Sequence, residues 1–147
     1  MKALRLVVCS VVILSGLVAT APAAAAACET VWVRSYTVQA DADRSFYRMG
    51  DTVEVEVLVT RAETGEPVPY ANVLSIVHSG GKWALGYVRS DAAGRAVVEI
   101  KLTRKSAAPD PSARLHTIAA KEVANTPCAQ VWEYGDVNEP DAFRINP

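Results

Sequence analysis

The sequence is poor in the residues from which metal and catalytic sites are most often built. It has 3 cysteines and 2 histidines in 147 residues, and His78 and His116 lie too far apart for the ligand spacing of a zinc site. It contains no Gly-x-Ser-x-Gly turn of the kind that positions a hydrolase nucleophile. We therefore expect no cofactor and no enzymatic activity, and a small hydrolase that uses His78 or His116 is a minor alternative.

Neither the charge nor the apolar runs after residue 28 indicate a nucleic-acid-binding or membrane protein. Lys and Arg number 15, Asp and Glu number 16, and the formal net charge is −1 at pH 7. This composition contains no basic patch that would attract nucleic acid or an anionic membrane surface. After residue 28 no apolar run approaches the ~20 residues of a membrane-crossing helix, so we expect no membrane span.

The first 27 residues have the three parts of a secretory signal peptide. Lys2 and Arg5 form a basic start, residues 6–19 are mostly apolar, and an alanine-rich stretch surrounds Pro22. This pattern predicts export and cleavage within residues 23–27, so we expect a secreted, extracellular protein. An uncleaved membrane anchor is the alternative, and the short apolar part disfavours it.

Cys28 and Cys128 would remain after cleavage, whereas Cys9 would be lost. Two cysteines in an exported chain are expected to form a disulfide. The loop that this bond closes is long, and chain entropy alone would stabilise the fold by up to ~4–5 kcal/mol. The alternative is lipid attachment at Cys28, which would anchor the protein to a membrane and leave Cys128 without that partner.

The clearest structural pattern is an alternation of valines within residues 52–60. The valines are Val53, Val55, Val57 and Val59, and Glu54 and Glu56 stand between the first three of them. Successive side chains of a strand point to opposite faces, and β-branched residues favour strands. The alternation therefore predicts a strand with one buried valine face.

Six further segments of strand-like composition are separated by turn residues. They are residues 30–40, 68–78, 83–90, 95–103, 114–123 and 128–134. No helical periodicity competes with them, so we predict an all-β fold, an antiparallel β-sandwich of about seven strands within a domain of residues 28–134. Residues 135–147 are predicted to form a polar C-terminal tail.

Motifs at the predicted strand boundaries resemble those of a known group of domains. The motifs are Tyr47-x-x-Gly50-Asp51, Gly65-x-Pro67-Val68 and Ser90-Asp91-x-x-Gly94. The stretch 47–102 resembles the bacterial Ig-like domains of the invasin and intimin type and the related macroglobulin-like modules. This resemblance implies an Ig-like sandwich that serves as a spacer, adhesion or binding module.

Oxygen-bearing side chains near the ends of two predicted strands are candidate calcium ligands. Asp41 and Asp43 follow the first strand, and Asp136 and Asn138 follow the last. Carboxylate and amide oxygens suit Ca²⁺, but acidic residues are equally common in solvated turns. We favour solvated turns, with calcium binding as the alternative.

The tryptophans allow two interpretations. Large aromatic side chains most often fill the core of a sandwich. In the first and last predicted strands, however, inward valines would place Trp32 and Trp132 on the outer face. Together with Tyr134 they are then candidate binding residues for a protein or a sugar.

These features favour a secreted, non-enzymatic Ig-like module. Its partner would be an extracellular protein or a cell-envelope component, bound through an edge strand or an aromatic face. A carbohydrate-binding sandwich that uses Trp32, Trp132 or Tyr134 for a glycan, with or without structural calcium, is the alternative.

The processed chain is expected to contain no free thiol, because Cys28 and Cys128 are paired. Thiol titration of the denatured protein without reductant should give no signal, and reduction should release both thiols. A stoichiometric thiol before reduction, or a diacylglyceryl mass on Cys28, would contradict the disulfide.

Overall fold

The computed structural model describes residues 29–147, and every regular element in that range is a strand. The nine strands are β1 (Glu29–Arg34), β2 (Tyr36–Ala42), β3 (Phe46–Arg48), β4 (Thr52–Arg61), β5 (Asn72–Ser79), β6 (Lys82–Arg89), β7 (Arg95–Lys101), β8 (Asp110–Thr126) and β9 (Ala129–Asn146). This confirms the prediction of an all-β fold. The predicted signal peptide lies outside the described residues, as does Cys28. Between residues 29 and 147 there is no apolar helix of membrane-spanning length.

The strands form two sheets. The larger sheet has the order β1-β9-β8-β5-β6, with β3 added to the far end of β9, and the smaller sheet has the order β2-β4-β7. Neighbouring strands are antiparallel except that β1 and β3 both run parallel to β9. The two layers bury one face of each sheet against the other, which is the arrangement of a β-sandwich.

The core between the layers is built mainly from small aliphatic residues. The valine register predicted for residues 52–60 is confirmed, because all four valines of β4 are buried. They share the interior with Val98 and Ile100 of β7 and with Val73 and Val77 of β5. Removing these side chains from water is the main stabilising contribution to such a fold.

The first predicted strand divides at Ser35 and contributes to both sheets. The N–H group of Ser35 donates to the carbonyl of Tyr134 in β9 at 2.9 Å, and its carbonyl accepts from Ala62 N just beyond β4 at 2.9 Å. The crossing brings β2 close to β9, where a Cβ atom on Gly135 would lie 2.3 Å from the Tyr36 carbonyl oxygen. Glycine is therefore required at position 135.

Residues 135–146 form the second half of β9, where the sequence pattern predicts a polar tail. Phe143 and Ile145 point inward and are buried, and the ring of Phe143 meets the edge of Tyr47 at a centroid distance of 4.9 Å. Most polar side chains of this segment lie on the outer face or near an irregularity at Asp141, which has a positive φ of 58°. The half-buried Glu139 is on the inner face, opposite Leu115. These residues belong to the sandwich.

At the opposite end of β9 the small sheet reaches only as far as Glu133, which bonds to Tyr36 and Arg61, and within residues 29–147 no second layer covers the rest of the large sheet. All six residues of β1 are exposed, including Val31 and Val33, which point to the inner side of the sheet. The neighbouring ends of β8 and β9 are also exposed or only half-buried. We call this region, residues 29–34 and 121–134, the arm.

The importance of the valine face can be tested by cavity formation. We expect Val55→Ala to lower the free energy of unfolding by about 2–3 kcal/mol, because the deleted methyl groups leave a cavity in the core. The matched control is Val97→Ala on the neighbouring strand β7, where the side chain is exposed and the expected change is within ~0.5 kcal/mol. Urea unfolding measures both, and equal losses would show that the valine face does not stabilise the fold.

Candidate functional site

The outer face of the large sheet is unusually apolar for a surface exposed to water. Trp83, Leu85 and Tyr87 on β6 are 67%, 63% and 65% exposed. They lie beside Leu74, Ile76 and His78 of β5, which are their register partners. We call Trp83, Leu85 and Tyr87 the β6 stripe. Exposed apolar residues that are clustered in this way are typical of interaction surfaces.

The small sheet shows no comparable surface. Most of its outward positions on β4 and β7 are polar or charged. They include the exposed Glu54, Glu56, Glu99 and Lys101, and the apolar residues among them are Val97 and the half-buried Leu58. Both sheets share the same core, so the apolar character of the large sheet's outer face is not a requirement of folding. It distinguishes one side of the molecule from the other.

On the arm, the three aromatic residues that the sequence nominates lie together. Trp32 is the register partner of Trp132, and their rings are stacked with centroids 5.4 Å apart and an angle of 24° between the planes. Tyr134 meets Trp32 edge-on at 6.2 Å. We call these residues the aromatic cluster. Trp32 is 56% exposed, whereas Trp132 and Tyr134 are half-buried.

A polar group adjoins the aromatic cluster on the same face. The Asp136 carboxylate forms an ion pair with Arg34, whose Nη2 lies 2.8 Å from Oδ1 of Asp136. The other carboxylate oxygen, Oδ2, lies 3.5 Å from Nε2 of His116. Nε2 of His116 and Oε1 of Glu122 are covered, yet neither has a hydrogen-bond partner among the described residues. Buried polar atoms without partners are costly, so a small shift of His116 toward Asp136, or a polar group that reaches these atoms, would be favourable.

The two histidines lie on this outer face and not in a catalytic arrangement within the described range. The ring of His78 packs edge-on against Trp83 at 5.3 Å. Burial, followed by the nearby charges of Arg114 and His116, lowers the pKa of His78. No hydrogen bond joins either imidazole to a serine hydroxyl in residues 29–147, as a nucleophile-activating pair would require.

The calcium candidates are divided among other roles. The Asp43 carboxylate accepts from Tyr47 Oη at 2.5 Å, from Arg44 Nε at 2.9 Å and from Glu54 N at 3.1 Å. Asp136 binds Arg34, and Asn138 is the register partner of His116. Asp41 lies on β2, near Glu139. Residues 29–147 contain no group of three or more His, Cys, Asp or Glu side chains arranged to hold a metal ion.

The β6 stripe is the part of this surface that sequence reasoning did not nominate. The alternation does place Trp83, Leu85 and Tyr87 on one face, but it does not say which face is buried. The deciding signal is the small size of Ala84 and Gly86 between them. A Cβ atom on Gly86 would lie 2.5 Å from the carbonyl oxygen of Glu99, so the small residues are the ones that face the second sheet.

Comparisons with known proteins add no family assignment. No protein-family model matches the chain, and no curated protein sequence matches it significantly.

The role of Asp43 predicts a pH-dependent loss of stability. Burial raises its pKa, but hydrogen bonds from Tyr47, Glu54 N and Arg44 outweigh burial and hold the pKa below its usual 3.8. The ionised group therefore stabilises the fold fully above pH 3.8, and this contribution is lost as the pH falls through the lower folded-state pKa.

We expect Asp43→Asn to lower the melting temperature at pH 7 and to change it much less near pH 2. Asp41→Asn is the control, because the Asp41 carboxylate accepts no such hydrogen bonds within residues 29–147. Burial, followed by the charge of Asp41, raises the pKa of Glu139, so that charge repels Glu139 and its removal should not destabilise the fold. An Asp43→Asn effect of the same size at both pH values would contradict this role for the carboxylate.

Proposed function

We propose that the chain is a secreted, non-enzymatic Ig-like module that recognises a protein or cell-envelope partner through the outer face of its large sheet. The observation that carries this proposal is the exposure of the β6 stripe, three large side chains in alternation on one strand. Exposing them costs free energy in water. A partner that covers the face would recover that cost.

The order of the strands supports an Ig-like topology. With β1 and β3 set aside, the other seven strands can be numbered in chain order as the strands of an Ig domain. The first, second and fifth then form the small sheet, and the seventh, sixth, third and fourth form the large sheet. Constant-type Ig domains have the same grouping except that their fourth strand joins the other sheet. Such sandwiches often present binding surfaces on strands and loops of one side.

The geometry near residue 128 supports the disulfide expected of a secreted protein. The N–H of Glu29 donates to the Cys128 carbonyl at 3.3 Å, and Glu29 is in register with Ala129. Cys28 directly precedes Glu29 in the chain. The backbone of its neighbour is thus already beside Cys128.

A glycan ligand is the second candidate, and the aromatic cluster favours it. Sugar rings present C–H faces that stack on indole rings, while their hydroxyl groups need polar partners. Trp32 offers an exposed ring, and Arg34, Asp136 and His116 offer polar atoms beside it. The arm therefore combines both kinds of contact on one face.

We expect the labelled protein to bind saturably to an envelope fraction of the cells that secrete it. The double variant Trp83→Ser/Tyr87→Ser should weaken this binding at least tenfold, because it removes the apolar contacts. The variant should stay folded, with a small decrease in its urea unfolding midpoint from the lost contacts of Trp83 with His78 and of Tyr87 Oη with Asn72. The control is Val97→Ser on the outer face of the small sheet, which should bind normally. Unchanged binding of the double variant would contradict the proposal.

The same assay separates the two kinds of partner. Protease treatment of the envelope fraction should abolish binding to a protein partner, whereas periodate oxidation should abolish binding to a glycan. Loss after periodate alone, together with loss in Trp132→Ala, would replace the protein partner with the glycan.

A further inference from the structure

The outer edge of β1 has the properties of a strand that pairs with another strand. It forms one edge of the large sheet, and within the described residues β9 is its only neighbour in that sheet. Natural edges are usually protected by proline, by charged side chains (lysine above all), by a bulge or by a covering loop. β1 contains no proline or lysine and has charges only at its two ends, Glu29 and Arg34. It pairs with β9 without a register shift, and all six of its residues are exposed.

The pairing with β9 shows which backbone groups of β1 face outward. The N–H groups of Glu29 and Ser35 donate to carbonyls of Cys128 and Tyr134 on the β9 side. Backbone groups of a strand alternate in direction, so the odd-numbered residues between them also face β9. The N–H and C=O groups of Thr30, Trp32 and Arg34 therefore point to the open edge.

Trp32 extends this edge with an unused aromatic surface. One face of its indole stacks on Trp132 across the β1–β9 pair. The opposite face is directed away from β9, toward the open edge, and the side chain is 56% exposed. A residue on an added strand would meet this ring face as Trp132 meets the other.

We propose that β1 pairs antiparallel with β1 of a second copy of this chain, giving a two-fold symmetric dimer with one continuous sheet. The symmetry determines the register. Antiparallel identical strands are related by an axis perpendicular to the sheet, which keeps the same face up in both copies. Paired residues must then share a face, and the outward groups of one strand must meet the outward groups of the other.

One register uses all three outward-facing residues of both strands. It places Trp32 opposite the partner's Trp32 and Thr30 opposite the partner's Arg34. On the other face of the sheet it places Val31 opposite the partner's Val33. The pairs are aromatic with aromatic and β-branched with β-branched, which are favourable combinations across strands.

This register also avoids the repulsion that would oppose self-association. Arg34 lies opposite the neutral Thr30, and Glu29 lies opposite the neutral Ser35, so no like charges face each other. The rings would form a ladder of Trp132, Trp32 and their two symmetry mates across the axis. Since β1 is used up in both copies, the assembly closes as a dimer and does not extend into a fibre.

The dimer would bring the outer faces of both large sheets to the same side. The axis is perpendicular to the sheet, so both β6 stripes and both aromatic clusters would point in one direction. A partner displayed repeatedly on a surface could then be bound at two points, which raises the apparent affinity without any new contact.

Sedimentation velocity on the purified chain tests the association. We expect the sedimenting species to change from a monomer to a dimer as the protein concentration rises from about 1 to about 100 µM, the range typical of a small interface. Trp32→Lys and Trp32→Glu should each be monomeric, because like charges would face each other at the axis, and an equimolar mixture should dimerise again. Trp83→Lys, on the far edge of the same face, is the control that should still dimerise.

Single cysteines test the register. Hydrogen-bonded antiparallel residues have Cα atoms ~5.5 Å apart, within disulfide range. Under mild oxidation Trp32→Cys should form a disulfide-linked dimer, whereas Val31→Cys, Val33→Cys and the wild type should not. A wild-type chain that stays monomeric to about 100 µM, a dimer unaffected by Trp32→Lys, or preferential linkage through Val31→Cys would each overturn the proposal.

The dimer does not depend on the proposed function. Trp83→Ser/Tyr87→Ser should remain dimeric whether or not it binds the envelope fraction. Binding of a foreign extended peptide by a monomeric wild-type chain would replace the second copy as the occupant of the edge.

Discussion

The hydrogen-bonded pairing of β9 with its neighbours is the constraint on which the rest of the molecule depends. Among the described residues β9 pairs with three strands, β1, β3 and β8, and it also lies against β2 at the point where Gly135 permits a close approach. Both β1 and β3 have β9 as their partner in the sheet. Without β9, the aromatic cluster, the free edge of β1 and the packing of Phe143 on Tyr47 would all be lost together.

The two faces of the large sheet obey different physical requirements. The inner face is buried with small residues, and Gly86 and Gly135 allow the second layer to approach at two separate places. The outer face has the bulky residues, although packing within the molecule does not need them there. A sequence optimised only for stability and solubility would have polar residues at positions 85 and 87. This chain has polar residues at most of the corresponding outward positions on β4 and β7. That contrast is why the outer face is interpreted as functional.

The sequence predicts most of what depends on local alternation. The burial of the β4 valines follows from a period-two pattern, and so does the placement of Trp32 and Trp132 on one face once the neighbouring valines point inward. That Trp32 and Trp132 are direct neighbours could not be predicted, because strand order is decided by contacts between residues about 100 positions apart. The division at Ser35 has no glycine or proline signal. The inward Phe143 and Ile145 are hidden among polar residues and Pro140, which resemble a loose tail.

The parallel direction of β1 relative to β9 has a mechanical consequence. Glu29 begins β1 beside Ala129 at the start of β9, whereas β9 ends at Asn146 beside Arg48. The two ends of the described chain therefore lie at opposite ends of β9. In the reduced chain, where no Cys28–Cys128 disulfide ties the start of β1 to β9, a force that pulls these ends apart would slide β1 along β9 instead of peeling it away. All hydrogen bonds between the strands would then bear the load at the same time. Such shear loading resists rupture better than unzipping, in which the hydrogen bonds break one after another.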